Sequence, residues 1–74
     1  MAFQDQVKKL KLDDVRQIET HYYKAIDSRR GSGDHWILLG LLSQHGFRTN
    51  SVEEAMKIAD EIIITWYTLN QKGS

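Results

Sequence analysis

Residues 51–71, SVEEAMKIADEIIITWYTLNQ, repeat their apolar side chains at the period of an α-helix. At about 100° per residue, Val52, Ala55, Met56, Ile58, Ala59, Ile62, Ile63, Trp66, Tyr67 and Leu69 fill one arc of about 180°. Glu53, Glu54, Lys57, Asp60, Glu61, Thr65 and Thr68 fill the other, and only Ile64 breaks the pattern. Ser51 and Glu54 stand three apart, the capping-box spacing of a hydroxyl at the cap and a carboxylate one turn on. Residues 62–67 suit a strand by local propensity, but the helical register of the whole stretch outweighs them. The spacing predicts a helix over 51–71.

Upstream, the segment from His45-Gly46-Phe47 to Asn50 reads as a break, with Gly46 placed where helices favour a left-handed residue. Before it lies a predicted helix over 35–45, with Asp34 able to cap it. Trp36, Ile37, Leu38, Leu39, Leu41 and Leu42 point in nearly every direction around that helix, and a helix apolar all round is a buried one. Residues 29–34 hold two glycines and a serine, which a helix does not continue through without cost. They read as a flexible loop or an engineered linker, and residues 72–74 as a disordered tail. Phe3, Val7, Leu10, Val15, Ile18, Tyr22, Ala25 and Ile26 form one stripe in the first block. Lys11 and Asp14 fall inside that stripe, and Asp13 or Asp14 is a good N-cap. A short helix over 3–11, a break, and a second helix over 14–28 follow. One long helix over both is the alternative. The expectation is an all-α fold, a compact bundle of three to four helices forming a single domain over 1–74.

Composition narrows the class. Seventy-four residues and 8.6 kDa fit one small domain, which buries only about 60% of its unfolded surface. A hydrophobic share of 41% and a charged share of 27% suit a globular chain rather than a disordered one. The chain has no cysteine, which excludes disulfides, thiolate metal sites and cysteine nucleophiles. A small secreted chain usually needs such staples, so a cytoplasmic location is expected. No apolar run approaches the ~18 residues of a membrane span, and no segment reads as a signal peptide.

No catalytic constellation has a workable spacing. His21, His35 and His45 are not paired with metal-capable side chains one helical turn away, so no metal and no cofactor is expected. His45 in the last helical turn suits the helix dipole. His35 sits beside a cap, and His21 is read as solvent-facing. The pairs Asp13/Asp14, Glu53/Glu54 and Asp60/Glu61 diverge by about 100° on a helix and do not converge on a substrate. Gly31-Ser32-Gly33 lacks the lysine and spacing of a phosphate loop. An enzyme and a small-molecule substrate are therefore not expected.

Charge is balanced overall, with ten basic and ten acidic residues, but not along the chain. Residues 1–30 hold seven Lys or Arg against five acids, a net of +2, and residues 31–74 hold three against five, a net of −2. Lys8, Lys9 and Lys11 cluster, as do Arg29 and Arg30. With Arg48 they form a candidate phosphate-binding set.

Residues 38–58 resemble the helix-turn-helix family of DNA-binding domains. The apolar helix ends at Gly46, where that motif places its turn glycine. Phe47 follows, and Val52 and Ala55 take packing positions on the second helix. The resemblance implies DNA binding, with residues 49–51 and Lys57 near the duplex. Leu42 departs from it, standing where the motif prefers a small residue. The would-be recognition helix also presents Glu53, Glu54, Asp60 and Glu61, which repel phosphates.

The half-circumference face of 51–71 and the all-round apolar helix over 35–45 exceed what a three-helix monomer buries. The surplus predicts self-association or a partner, unless residues 3–11 fold back to cover it. The residues expected in that interface are Trp36, Leu38, Leu41, Leu42, Ile58, Ile62, Trp66 and Leu69. The functional expectation is a non-enzymatic regulator or adaptor working through protein–protein contacts, as a homodimer, and away from membranes. The alternative is a nucleic-acid-binding regulator using the basic set.

Overall fold

A computed structural model describes residues 3–28 and 33–71. They form four α-helices, α1 (Phe3–Lys8), α2 (Leu12–Asp27), α3 (Gly33–Gln44) and α4 (Val52–Gln71), with no strand among the described residues. The all-α bundle expected from the sequence is what the chain adopts. Its shortest Cα extent, 16 Å, is that of two helix layers packed at the usual 8–10 Å spacing.

The helix ends follow local chemistry. At the start of α4 the Glu54 backbone N–H donates to the Ser51 hydroxyl at 3.2 Å, the cap read from the sequence. At the end of α3, Gly46 has φ of +89°. The Phe47 N–H reaches the Leu42 carbonyl at 2.9 Å and the Gly46 N–H reaches the Ser43 carbonyl at 3.0 Å. Those two bonds are a complete Schellman motif, and the accompanying apolar pair, Leu42 and Phe47, is buried in the core.

The first block divides as expected, but not at the expected residue. Here α2 begins at Leu12 rather than 14, because Asp14 acts from inside the helix. Its carboxylate accepts the backbone N–H of the cap residue, Lys11, at 3.1 Å. An aspartate that ties down a backbone donor outside the helix favours a boundary there. Upstream, α1 closes with short bonds from the Lys9 and Leu10 N–H groups to the carbonyls of Gln6 and Val7.

The loop expected over 29–34 is shorter at its far end, since Gly33 and Asp34 already belong to α3. The Ser28 hydroxyl lies 2.7 Å from the Lys24 carbonyl and 2.9 Å from the Asp34 carboxylate. Its single proton serves either acceptor and links the end of α2 to the start of α3. The linker question over 29–32 and the tail over 72–74 lie outside the described residues.

The centre of the bundle is α4, which packs against α1, α2 and α3. That arrangement explains its wide apolar face. A helix with neighbours on three sides buries about half its circumference within its own chain. Val7, Val15, Ile18, Leu38, Leu42 and Ile62 are the largest fully buried side chains. Ala55 and Ala59, both fully buried one turn apart, let the neighbouring helices approach α4 closely. The fold-back of the first segment therefore takes place, and α1 covers part of the α4 surplus.

Candidate interaction surface

The expected interface residues divide sharply. Leu38, Leu42 and Ile62 have no exposed surface and cannot meet a partner in this fold. The expectation failed because an all-round apolar helix gives no sign of which side faces its own bundle. Leu41 and Ile58 are partly buried against the core. Trp66 is also half-buried, and its indole N–H donates to the Leu10 carbonyl at 3.0 Å, which anchors the ring inside the chain. Leu69, near the end of α4, is half-buried.

Trp36 is the one large residue of that set left outside, 59% exposed. Ile37 beside it is 51% exposed and was not among the expected residues. The exposed positions of α3 are Gly33, Trp36, Ile37, Gly40, Ser43 and Gln44, and none carries a charge. Nothing lies within 4 Å of where a Cβ on Gly40 would stand, so the middle of this face is open. On α2, Tyr23 and Ile26 are 55% and 52% exposed, one turn apart. Ile26 was expected to face inward. The hydrogen bond from Ser28 to Asp34 joins the end of α2 to the start of α3, which puts Ile26 and Trp36 at the same end of the bundle.

The other aromatic residues are used internally. The Tyr67 hydroxyl donates to Glu19 at 2.6 Å and the Tyr22 hydroxyl to Asp60 at 3.3 Å, both ties between α4 and α2. The bond to the Glu19 carboxylate, with burial and its negative charge, holds the Tyr67 phenol above its ordinary pKa. Burial, then the Asp60 charge, does the same for Tyr22. Trp66 and Tyr67 stack edge to face at 5.1 Å.

A second feature is an open groove of about 550 Å³ between α1, the residues after α3, and α4. Phe3, Phe47 and Ile58 give it apolar walls, and Gln6, Arg48 and Glu61 give it polar ones. Phe3 and Phe47 meet edge to face at 5.8 Å.

One of the histidines differs from expectation. His21 is not solvent-facing: it is half-buried, and its Nδ1 is shielded from water without a hydrogen-bond partner. His35 is an early residue of α3 beside Asp34, as expected, and is only 5% exposed. His45 lies just past α3, its Nε2 3.9 Å from the Asp14 carboxylate. Among the described residues no three metal-capable side chains converge. No helix among them is long and apolar enough to cross a membrane.

Of the basic set, Lys8, Lys9 and Lys11 are exposed together around the α1–α2 joint, and Arg48 is exposed after α3. Arg29 and Arg30 lie outside the described residues. Seven residues, His45 to Ser51, separate α3 from α4, against the three or four of a helix-turn-helix turn. The free side of α4 carries Glu53, Asp60 and Glu61 against the single cation Lys57, a charge balance that repels phosphates. No family model, no curated protein and no solved structure matches this chain.

Proposed function

We propose that this protein is a non-enzymatic binding module, a small regulator or adaptor that works through apolar helical contacts and pairs with itself as a homodimer. One observation carries the reading: Trp36 and Ile37 stand side by side, more than half exposed, on a face of α3 that has no charged residue. Exposed apolar clusters of this kind mark interaction sites on small proteins. Tryptophan is also among the residues that dominate interface energetics. An uncharged face presents no like charges to a second copy of itself, so a two-fold contact meets no electrostatic penalty there. Tyr23 and Ile26 are further exposed apolar side chains on α2, Ile26 at the same end of the bundle as Trp36.

Sedimentation equilibrium of the wild type and of the Trp36→Ser/Ile37→Ser double variant tests the reading. A dimer that becomes a monomer with an unchanged helical circular-dichroism spectrum is the expected result. A wild type that sediments as a monomer at every concentration removes the homodimer. Loss of helical signal in the double variant would show that the two side chains serve the fold instead.

A further inference from the structure

We propose that the groove between α1 and α4 is a binding site for a small zwitterion with an apolar body, of the class of the aromatic α-amino acids. The groove's volume, about 550 Å³, lies within the range of small-ligand sites. Its walls come from three places: Phe3 and Gln6 from α1, Phe47 and Arg48 from the segment after α3, and Ile58 and Glu61 from α4. The apolar part is aromatic and already organised. Phe3 and Phe47 meet at an interplanar angle of 67°, so the half-buried Phe3 ring, backed by the buried Phe47, is the aromatic surface a third ring can meet edge to face. Gly46 adds no side chain to the hollow, and the nearest atom to a Cβ there is the Gln6 amide nitrogen at 4.0 Å.

The charges fix the class of ligand. Arg48 and Glu61 both border the groove with opposite signs, and both are exposed. Among the described residues neither forms an ion pair with the other or with any third group. Each is therefore available to an outside charge. A ligand with a carboxylate for the Arg48 guanidinium, an ammonium for the Glu61 carboxylate and a ring for Phe3 and Phe47 matches all three elements of the site. Guanidinium–carboxylate pairs add geometric selectivity through two parallel hydrogen bonds. A purely apolar ligand would leave both charges unused, and a singly charged one would use half of them. The site is separate from the uncharged face of α3, so the two readings stand or fall independently.

The experiment is a ¹⁵N–¹H NMR titration of the full chain with L-phenylalanine, 3-phenylpropionate, which lacks the ammonium, and phenethylamine, which lacks the carboxylate. A ligand as small as phenylalanine in an open groove is expected to bind in the millimolar range, which such titrations read directly. The expected result is saturable shifts of the Phe47, Arg48 and Glu61 amides by phenylalanine. Each singly charged probe should bind a few-fold more weakly, as should phenylalanine to Arg48→Gln or Glu61→Gln, the loss expected for pairs with exposed side chains. The Trp36→Ser/Ile37→Ser variant should bind phenylalanine as the wild type does. The proposal is overturned if phenylalanine causes no saturable shift at these amides. It is equally overturned if the singly charged probes bind as tightly as phenylalanine, or if neither glutamine variant weakens binding.

Discussion

The indole N–H of Trp66 donates to the carbonyl of Leu10 at 3.0 Å, across 56 positions of sequence. Leu10 closes α1 and precedes the cap of α2, so this bond fixes the joint between the first two helices to the last helix. A tryptophan at this point has two jobs. Its ring packs against the core, and its N–H satisfies a carbonyl that no helix uses. Replacement by phenylalanine separates the two. We expect Trp66→Phe to lose about 1–3 kcal/mol, because the Leu10 carbonyl is left part-buried without its donor. Urea unfolding followed by circular dichroism would measure it. A midpoint equal to the wild type's would mean that water replaces the indole without loss.

Among the described residues, Gly46 is the position where backbone conformation alone disfavours a side chain. Its φ of +89° is strained for any L-residue, although the space beside it is open. We expect Gly46→Ala to destabilise by about 1–2 kcal/mol. In a domain of this size that lowers the melting temperature by roughly 4–8 °C for each kcal/mol. Thermal denaturation is the direct check, and an unchanged melting temperature would contradict the role given to the Schellman turn.

Gly40 sets the opposite expectation. It lies inside α3 with nothing within 4 Å of an added Cβ. Gly40→Ala should therefore stabilise the folded chain by up to about 1 kcal/mol through helix propensity. The gain should appear in the monomeric Trp36→Ser/Ile37→Ser background, where only folding is read. In the wild-type background the added methyl stands on the proposed dimer face, and sedimentation should show weaker association. An unchanged dimer constant would move the contact away from α3.

The tyrosine ties give a signature at high pH. Tyr67 and Tyr22 both ionise above the ordinary phenol value near 10. For Tyr67 the main cause is the bond to Glu19, and for Tyr22 it is burial. A phenol whose pKa is raised by folding contributes stability that is fully present below its unfolded pKa. That stability disappears as pH rises through the folded value. The difference in stability between the wild type and Tyr67→Phe should thus be constant from neutral pH to about 9 and shrink above 10. Urea melts across that range would show it, as would delayed tyrosinate absorbance in the wild type. A difference that stays constant to pH 11 would mean that Glu19 does not hold this proton.

The parts of the fold that were legible in the sequence are those set by local chemistry. Ser51 caps α4 by a bond to a residue three positions on. Gly46 ends α3 because its own backbone must turn left-handed. The break before α2 was visible in Lys11 and Asp14 interrupting an apolar stripe, but its position came out late. An aspartate acts equally well as the cap itself or from the first turn inside the helix. The side of α3 that faces out was not legible. Periodicity carries that information, and a helix with Trp36, Ile37, Leu38, Leu39, Leu41 and Leu42 has no period to read. The width of the α4 face was legible, but not its cause. Surplus apolar surface on one helix looks the same whether a sister helix or another molecule covers it. The groove joins residues from three segments up to 58 positions apart, Phe3 to Glu61, and no spacing in the sequence announces it.

Among the helices, α1 has its backbone close to α4 alone. At six residues it is far too short to persist as a helix in water on its own. Its opening uncovers Val7, its one fully buried residue, and costs less than unfolding the whole chain. With α1 open, the groove loses the wall made by Phe3 and Gln6. Any molecule seated in the groove binds only the docked state and must slow that opening by mass action. Hydrogen exchange at the amides of Phe3–Lys8 would then report occupancy of a site whose other walls stay in place.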